Sequence, residues 1–222
     1  MSVTAFDDQY EDCTKEMESE VLQGLLAKEK KAVPIFGKTW DKAVETWKNK
    51  KWSLPDGIRK EYGFAITAYT DNNFYKDFHK AVKDYKGWDQ FPYHSMHFLL
   101  TRALVLLRTG CPKTTTLFRG VKDICFKQKK GTEIRFGQFA SSSTSKKEAE
   151  KFDKDTFFNL TSCFGVSIKN YSYFPYEEEV LIPVDEVFKV TSFTEEGGQT
   201  RFVLATTEKR CHNYNCNYMN KG

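Results

Sequence analysis

Apolar positions recur at three- and four-residue intervals through the first half of the chain and at alternate positions through much of the second. Met17, Val21, Leu22, Leu25 and Leu26 share one helical face, as do Trp40, Ala43, Val44 and Trp47. Ile58, Tyr62, Ala65, Ile66 and Tyr69 form a third such set, and Phe74, Phe78, Ala81, Val82 and Tyr85 a fourth. The strongest pattern predicts a helix over about 94–108, carrying Phe98, Leu99, Ala103, Leu106 and Leu107, stopped by Gly110 and Pro112. Pro34, Pro55, Gly87 and Pro92 punctuate the joins. Beyond Gly110, strands are predicted over 114–121, 132–143, 156–168, 178–184, 187–194 and 200–207, with Gly197-Gly198 as a hairpin turn between the last two. One short helix is expected over 146–152. Helices first and strands later predict an α+β fold with a mostly antiparallel sheet. No polar linker separates the halves. The chain therefore reads as one domain over 1–222, with a helical lobe over about 10–110 and a β-rich core over about 111–218.

Composition narrows the partners. A net charge of +4 is too weak and too dispersed to argue for nucleic acid. Nineteen Phe and eleven Tyr supply a large core or a stacking pocket. No apolar run reaches membrane-spanning length, and Met1 is followed at once by polar residues rather than a secretory leader. Six cysteines without a CxxC pair predict disulfides and no metal site. With the sequons at Asn159 and Asn170 they favour a secreted domain whose leader has been removed; a reduced cytosolic protein is the bland alternative. A Cys13–Cys216 bond would clip the two ends of the chain together. Cys111 can bridge to Cys163, with Cys125 as a rival, and a Cys125–Cys211 bond is open; six cysteines allow 15 pairings.

Three segments carry candidate chemistry. Arg119, in Leu117-Phe118-Arg119-Gly120, is an arginine inside an apolar strand, costly unless paired. Its bland reading is a partner carboxylate in the core or a side chain reaching the sheet edge. Gly120 beside it lets a ligand approach the backbone. In Ser141-Ser142-Ser143-Thr144-Ser145, strand alternation puts Ser141 and Ser143 on one face. The bland reading is a turn with an N-cap for the following helix. In Glu177-Glu178-Glu179, the same alternation puts Glu177 and Glu179 on one face, where two carboxylates raise each other's pKa unless a cation sits between them. A solvated acidic strand start competes with that reading.

Taken in order, Arg119, Ser141 and Glu177-x-Glu179 resemble the arginine-serine-glutamate signature of toxin-like ADP-ribosyltransferases. The surrounding words are similar to those of the vertebrate ecto-mono-ADP-ribosyltransferases: Phe-Asp-Asp-Gln-Tyr at 6–10, Phe-Gly-Gln-Phe-Ala-Ser at 136–141, Asp-Thr-Phe-Phe at 155–158, the run 174–183 and Tyr-Asn-Cys at 214–216. The resemblance implies a helical lobe packed on two mostly antiparallel sheets forming an NAD cleft. NAD, or NADP, is then a co-substrate and no prosthetic group is expected. Arg119 would grip the phosphates and nearby ribose, and Gly120 the nicotinamide amide. Ser141 would orient Glu179, and Glu179 would hold the ribose and stabilise an oxocarbenium-like transition state. Phe152, with Phe157 next, would stack on nicotinamide. Glu177 would direct transfer to an arginine on a protein partner, with the 171–176 loop as part of the recognition surface. The sequons and cysteines point to a glycoprotein, secreted or at the cell surface, and the resemblance leaves membrane attachment by a lipid anchor open. The alternatives are an enzyme that is mainly an NAD glycohydrolase, and a non-catalytic surface module.

Overall fold

A computed structural model of the protein describes residues 4–111, 115–122, 129–152 and 155–220. The helical period of the first half is realised as α1 (Thr14–Glu20), α2 (Leu26–Ala32), α3 (Pro34–Lys50), α4 (Lys60–Tyr69), α5 (Tyr75–Lys83) and α6 (His94–Leu107). A π-helical turn, Val21–Leu25, joins α1 to α2 around Gly24, whose backbone is not helical. This splits the first predicted helix. Pro34 opens α3 at a position where its missing N–H costs nothing. Unbroken burial along most of α6 explains why its apolar pattern is the strongest in the sequence.

The chain divides into two units. One comprises residues 2–107, 171–173 and 212–222. Its two chain ends are tied by the Cys13–Cys216 disulfide. Beside that bond, Asp8 accepts the N–H groups of Tyr10, Cys216 and Asn217, and Asp7 those of Asn213 and Tyr214. The words at 6–10 and 214–216 are therefore structural ties. Residues 171–173 are held within this unit. Tyr171 stacks on Trp47 at 5.4 Å, its carbonyl accepts Thr67 Oγ1 at 2.7 Å, and Lys42 lies 4.6 Å from the Tyr173 ring.

Within the same unit, Glu29 of α2 is buried and accepts the N–H groups of His94 at 2.8 Å and Ser95 at 2.9 Å. These are orphan donors of the α6 N-terminus, where the helix dipole also favours an anion. Burial still pushes the Glu29 carboxyl up to about 7. In Glu29→Gln, one acceptor oxygen becomes an amide group aimed at a backbone donor. Its loss should lower unfolding free energy by about 1–3 kcal/mol in urea titrations. An unchanged midpoint would show that α6 does not depend on this cap.

The other unit comprises residues 108–170 and 174–211. It holds β1 (Leu117–Val121), β2 (Glu133–Ile134), β3 (Ala140–Ser143), α7 (Lys146–Glu150), β4 (Thr156–Leu160), β5 (Val166–Ser167), β6 (Glu179–Ile182), β7 (Glu186–Glu196) and β8 (Gln199–Arg210). The strands run in the order β2-β7-β8-β4-β1-β3-β6-β5. Where two sheets were expected, hydrogen bonding joins all eight strands into one mixed sheet, with β4 and β8 parallel and the other pairs antiparallel. The join between β1 and β3 is the single pair Phe118↔Ser143, whereas β1 pairs with β4 through five residues. Leu117, Phe136, Ala140, Phe158, Val180, Phe188 and Phe202 contribute to one core cluster on a single face.

Two predicted strands are broken. The segment 132–143 becomes β2 and β3, on opposite sides of the sheet, because Gly137 at φ 67° turns the chain out of the pleat. The segment 156–168 becomes β4 and β5. Between them Glu186, fully buried, accepts Cys163 N–H at 2.7 Å and Ser162 Oγ at 2.5 Å, and a Cys111–Cys163 disulfide holds the turn. The β7–β8 hairpin is as expected: Gly197 and Gly198 both have positive φ, as a two-residue primed turn requires. Cys125, and any bond it makes, lies outside the described residues. Among the described residues no helix is long and apolar enough to cross a membrane.

Candidate active site

Of the sequence candidates, Arg119, Ser141, Glu177 and Glu179 come together where β1 and β3 part. Arg119 projects from β1 between Leu117 and Val121, on the face of the core cluster. Its guanidinium lies 5.6 Å from the Phe136 ring and donates from Nη1 to the carbonyl of Ser141. That bond forms where the β1–β3 ladder has already stopped. A planar cation on an aromatic face keeps its charge while half-buried. Gly120 follows, opposite Phe157 on β4.

Ser141 and Ser143 lie on alternate positions of β3, whose partner strand β6 begins at Glu179, directly opposite Ser143. Glu179 is only 6% exposed. Burial pushes its carboxyl up to about 7, against a hydrogen bond from the Ser141 side chain; the charge of Glu177 adds to the rise and that of Arg119 opposes it. One carboxyl group is thus held in a dry place, hydrogen-bonded by a hydroxyl, where the charges of Arg119 and Glu177 act on it with opposite signs. A surface strand gains nothing from such an arrangement, whereas a site that must stabilise developing positive charge does.

Glu177 reaches this group by a route that strand alternation did not anticipate. It ends a 3-10 turn, Pro175–Glu177, and Glu178 adopts a left-handed conformation (φ 47°) before β6 starts. Glu177 and Glu179 are therefore coupled by a turn and not by a shared strand face. The turn is fastened to β3: Ser143 Oγ donates to the Glu177 carbonyl at 2.6 Å, and Thr144 Oγ1 to the Glu178 carboxylate at 2.7 Å. The Glu177 carboxyl is raised by burial and by the charge of Glu148, and lowered by Lys151. The bland reading of the serine run also holds, since Ser145 caps α7 by accepting Glu148 N–H at 3.4 Å.

Phe152 follows α7 and is 54% exposed, a ring with an open face. Phe157 is enclosed, with Phe118 at 6.2 Å and the Arg201 guanidinium at 5.3 Å. Phe136, Ser143, Glu148 and Lys151 are the neighbours that sequence reasoning missed as site members. Ser143 had left a signal in its alternation with Ser141, and Phe136 in opening the run 136–141.

The chain is similar to known proteins along most of its length. Residues 1–212 match the family described as NAD:arginine ADP-ribosyltransferase. The chain is 41% identical to ecto-ADP-ribosyltransferase 5 of Mus musculus over 96% of its own length and 74% of that protein. It is 36% identical to mouse GPI-linked NAD(P)(+)--arginine ADP-ribosyltransferase 1, over 99% of this chain and 72% of the relative. The crystal structure of the eukaryotic mono-ADP-ribosyltransferase ART2.2 superposes with a TM-score of 0.86 at 38% identity, covering 97% of this chain and 96% of that one. A variant of ART2.2 in complex with NAD gives a TM-score of 0.84 at 37% identity, covering 96% of each chain.

Proposed function

The chain belongs to the NAD:arginine ADP-ribosyltransferase family, and from that premise we propose that it cleaves NAD at the nicotinamide–ribose bond and transfers ADP-ribose to an arginine side chain of a protein. The observation that carries this reading is the buried Glu179 carboxyl group, hydrogen-bonded by the Ser141 side chain and under the opposing charges of Arg119 and Glu177.

Arg119 grips the dinucleotide phosphates, a role for which a planar five-donor cation suits better than lysine. Gly120 receives the nicotinamide amide at the backbone, and Phe152 offers the stacking face. The bond between the sugar carbon and the ring nitrogen breaks with its electron pair leaving on nicotinamide, which departs neutral and needs no proton. The sugar carbon becomes cationic, and Glu179 lowers the energy of that state. A guanidinium nitrogen then bonds to the carbon from the opposite side. Arginine is charged at any physiological pH, so the attacking nitrogen must shed a proton, which Glu177 receives.

Tyr171 and Tyr173 have their rings engaged at Trp47 and Lys42. The acceptor-facing part of their loop therefore narrows to Phe174–Tyr176, with Tyr176 60% exposed. The Cys13–Cys216 and Cys111–Cys163 disulfides and the exposed Asn159 and Asn170 sequons support a glycosylated protein that works outside the cell or on its surface.

Incubation with labelled NAD and agmatine, a minimal guanidinium acceptor, tests the proposal. The expected products are nicotinamide and labelled agmatine in equal amounts. Free ADP-ribose with no labelled agmatine would make the protein an NAD glycohydrolase. No turnover at all would leave a non-catalytic module.

A further inference from the structure

Against Tyr176, the residue before Glu177, lies a cation that the reaction does not require. Lys151 Nζ sits 2.5 Å from Glu148 Oε2, one turn back in the same short helical segment, and 5.7 Å from the Tyr176 ring. Glu148 is sunk, with 15% of its side chain exposed, while Lys151 is 53% exposed. Each of these charges bears on Glu177: the Glu148 anion and the Lys151 ammonium act on it with opposite signs. An ammonium held between a carboxylate and an aromatic ring, within the field of a second carboxylate, occupies the surroundings that an incoming guanidinium needs.

We propose that Lys151 is a specificity-determining residue that competes with the acceptor arginine for Glu177, and that Glu148 sets the strength of this competition by drawing the ammonium aside. The inference rests on the arginine-transfer reading above. A guanidinium arriving at Glu177 meets the repulsion of Lys151 and finds part of the carboxylate's field already neutralised. Acceptors that bring an acidic neighbour can pair with Lys151 and relieve the repulsion; bare or basic acceptors cannot. Lys151 lies next to Phe152, the proposed nicotinamide platform, so this screen stands where donor and acceptor meet.

The two partners predict opposite signs. In Lys151→Gln, the KM for agmatine should fall about two- to five-fold, the size of an exposed charge interaction, with the change in KM and not in kcat. In Glu148→Gln, Lys151 is released toward Glu177 and the agmatine KM should rise. Lys151→Arg keeps the charge and should restore a KM near that of the wild type. The KM for NAD is measured alongside. A Lys151→Gln variant whose agmatine KM is unchanged or raised, or whose NAD KM is the one that moves, overturns the inference while leaving arginine transfer standing. Wild-type protein that cleaves NAD without labelling agmatine removes the arginine-transfer reading, and this inference with it.

Discussion

Glu179→Gln should lose NAD cleavage and transfer together, by about 10³-fold in kcat/KM, the upper range for removing one preorganised electrostatic stabiliser from a buried site. The substitution keeps shape and a carbonyl oxygen for Ser141, but removes the charge. Burying a neutral amide is less costly than burying a carboxylate, so thermal unfolding should not fall and lost activity cannot be ascribed to lost fold. The pH dependence follows from the same group. Its carboxyl lies at about 7 instead of 4.5, first because it is buried. The ionised form is the one that stabilises a sugar cation. Activity should therefore drop about ten-fold per pH unit below the folded value, read as kcat/KM for NAD, which reports the free enzyme. Stability runs the other way. The unfolded chain releases this proton near 4.5 and the folded chain near 7, so this group's contribution is full below 4.5 and declines up to about 7. In Glu177→Gln a neighbouring like charge disappears, and the activity midpoint should move to lower pH. A flat profile from pH 6 to 8, or a Glu179→Gln variant still cleaving NAD, would remove Glu179 from the chemistry.

What could be read from the sequence followed local periodicity and failed where long-range partners overrode it. The pattern 94–108 became α6 because a helix buried on most sides has no competing conformation. The alternation over 132–143 did not become one strand. Nothing local says that Ile134 pairs with Phe188 while Ala140 pairs with Ile182, and Gly137 could equally have been a bulge. The break after Leu160 depends on Glu186, more than twenty residues downstream, taking the Cys163 N–H. In the site, Arg119, Ser141 and Glu179 stood out as costly or conspicuous residue types in order. Glu148 and Lys151 did not, since an i,i+3 pair of opposite charge on a short helix has an ordinary solvated reading. Only the fold brings their charges to bear on Glu177. Glu177 and Glu179 were expected on one strand face, whereas a 3-10 turn and a left-handed Glu178 stand between Glu177 and the strand.

Glu177→Gln should separate the two activities that Glu179→Gln abolishes together. Transfer to agmatine should fall at least about 10²-fold, the lower range for removing a positioned proton acceptor. NAD hydrolysis should stay within about ten-fold of wild type, because water needs no anion to attract it and bond cleavage relies on Glu179. The backbone at this position should be undisturbed. The Glu177 carbonyl, not its carboxylate, takes the Ser143 hydroxyl at 2.6 Å, and the neighbouring Glu178 carboxylate takes Thr144. The defect therefore isolates the side-chain charge. Measuring labelled agmatine and free ADP-ribose in one reaction gives the partition directly, and equal loss of both products would assign Glu177 to NAD cleavage instead. Glu177→Asp then divides charge from reach. It keeps the anion but withdraws it by one methylene. If attraction of the guanidinium is what matters, much of the transfer returns. If the acceptor nitrogen must be held against the sugar carbon while its proton leaves, transfer stays low although the charge is present, as expected when proton removal depends on hydrogen-bond reach.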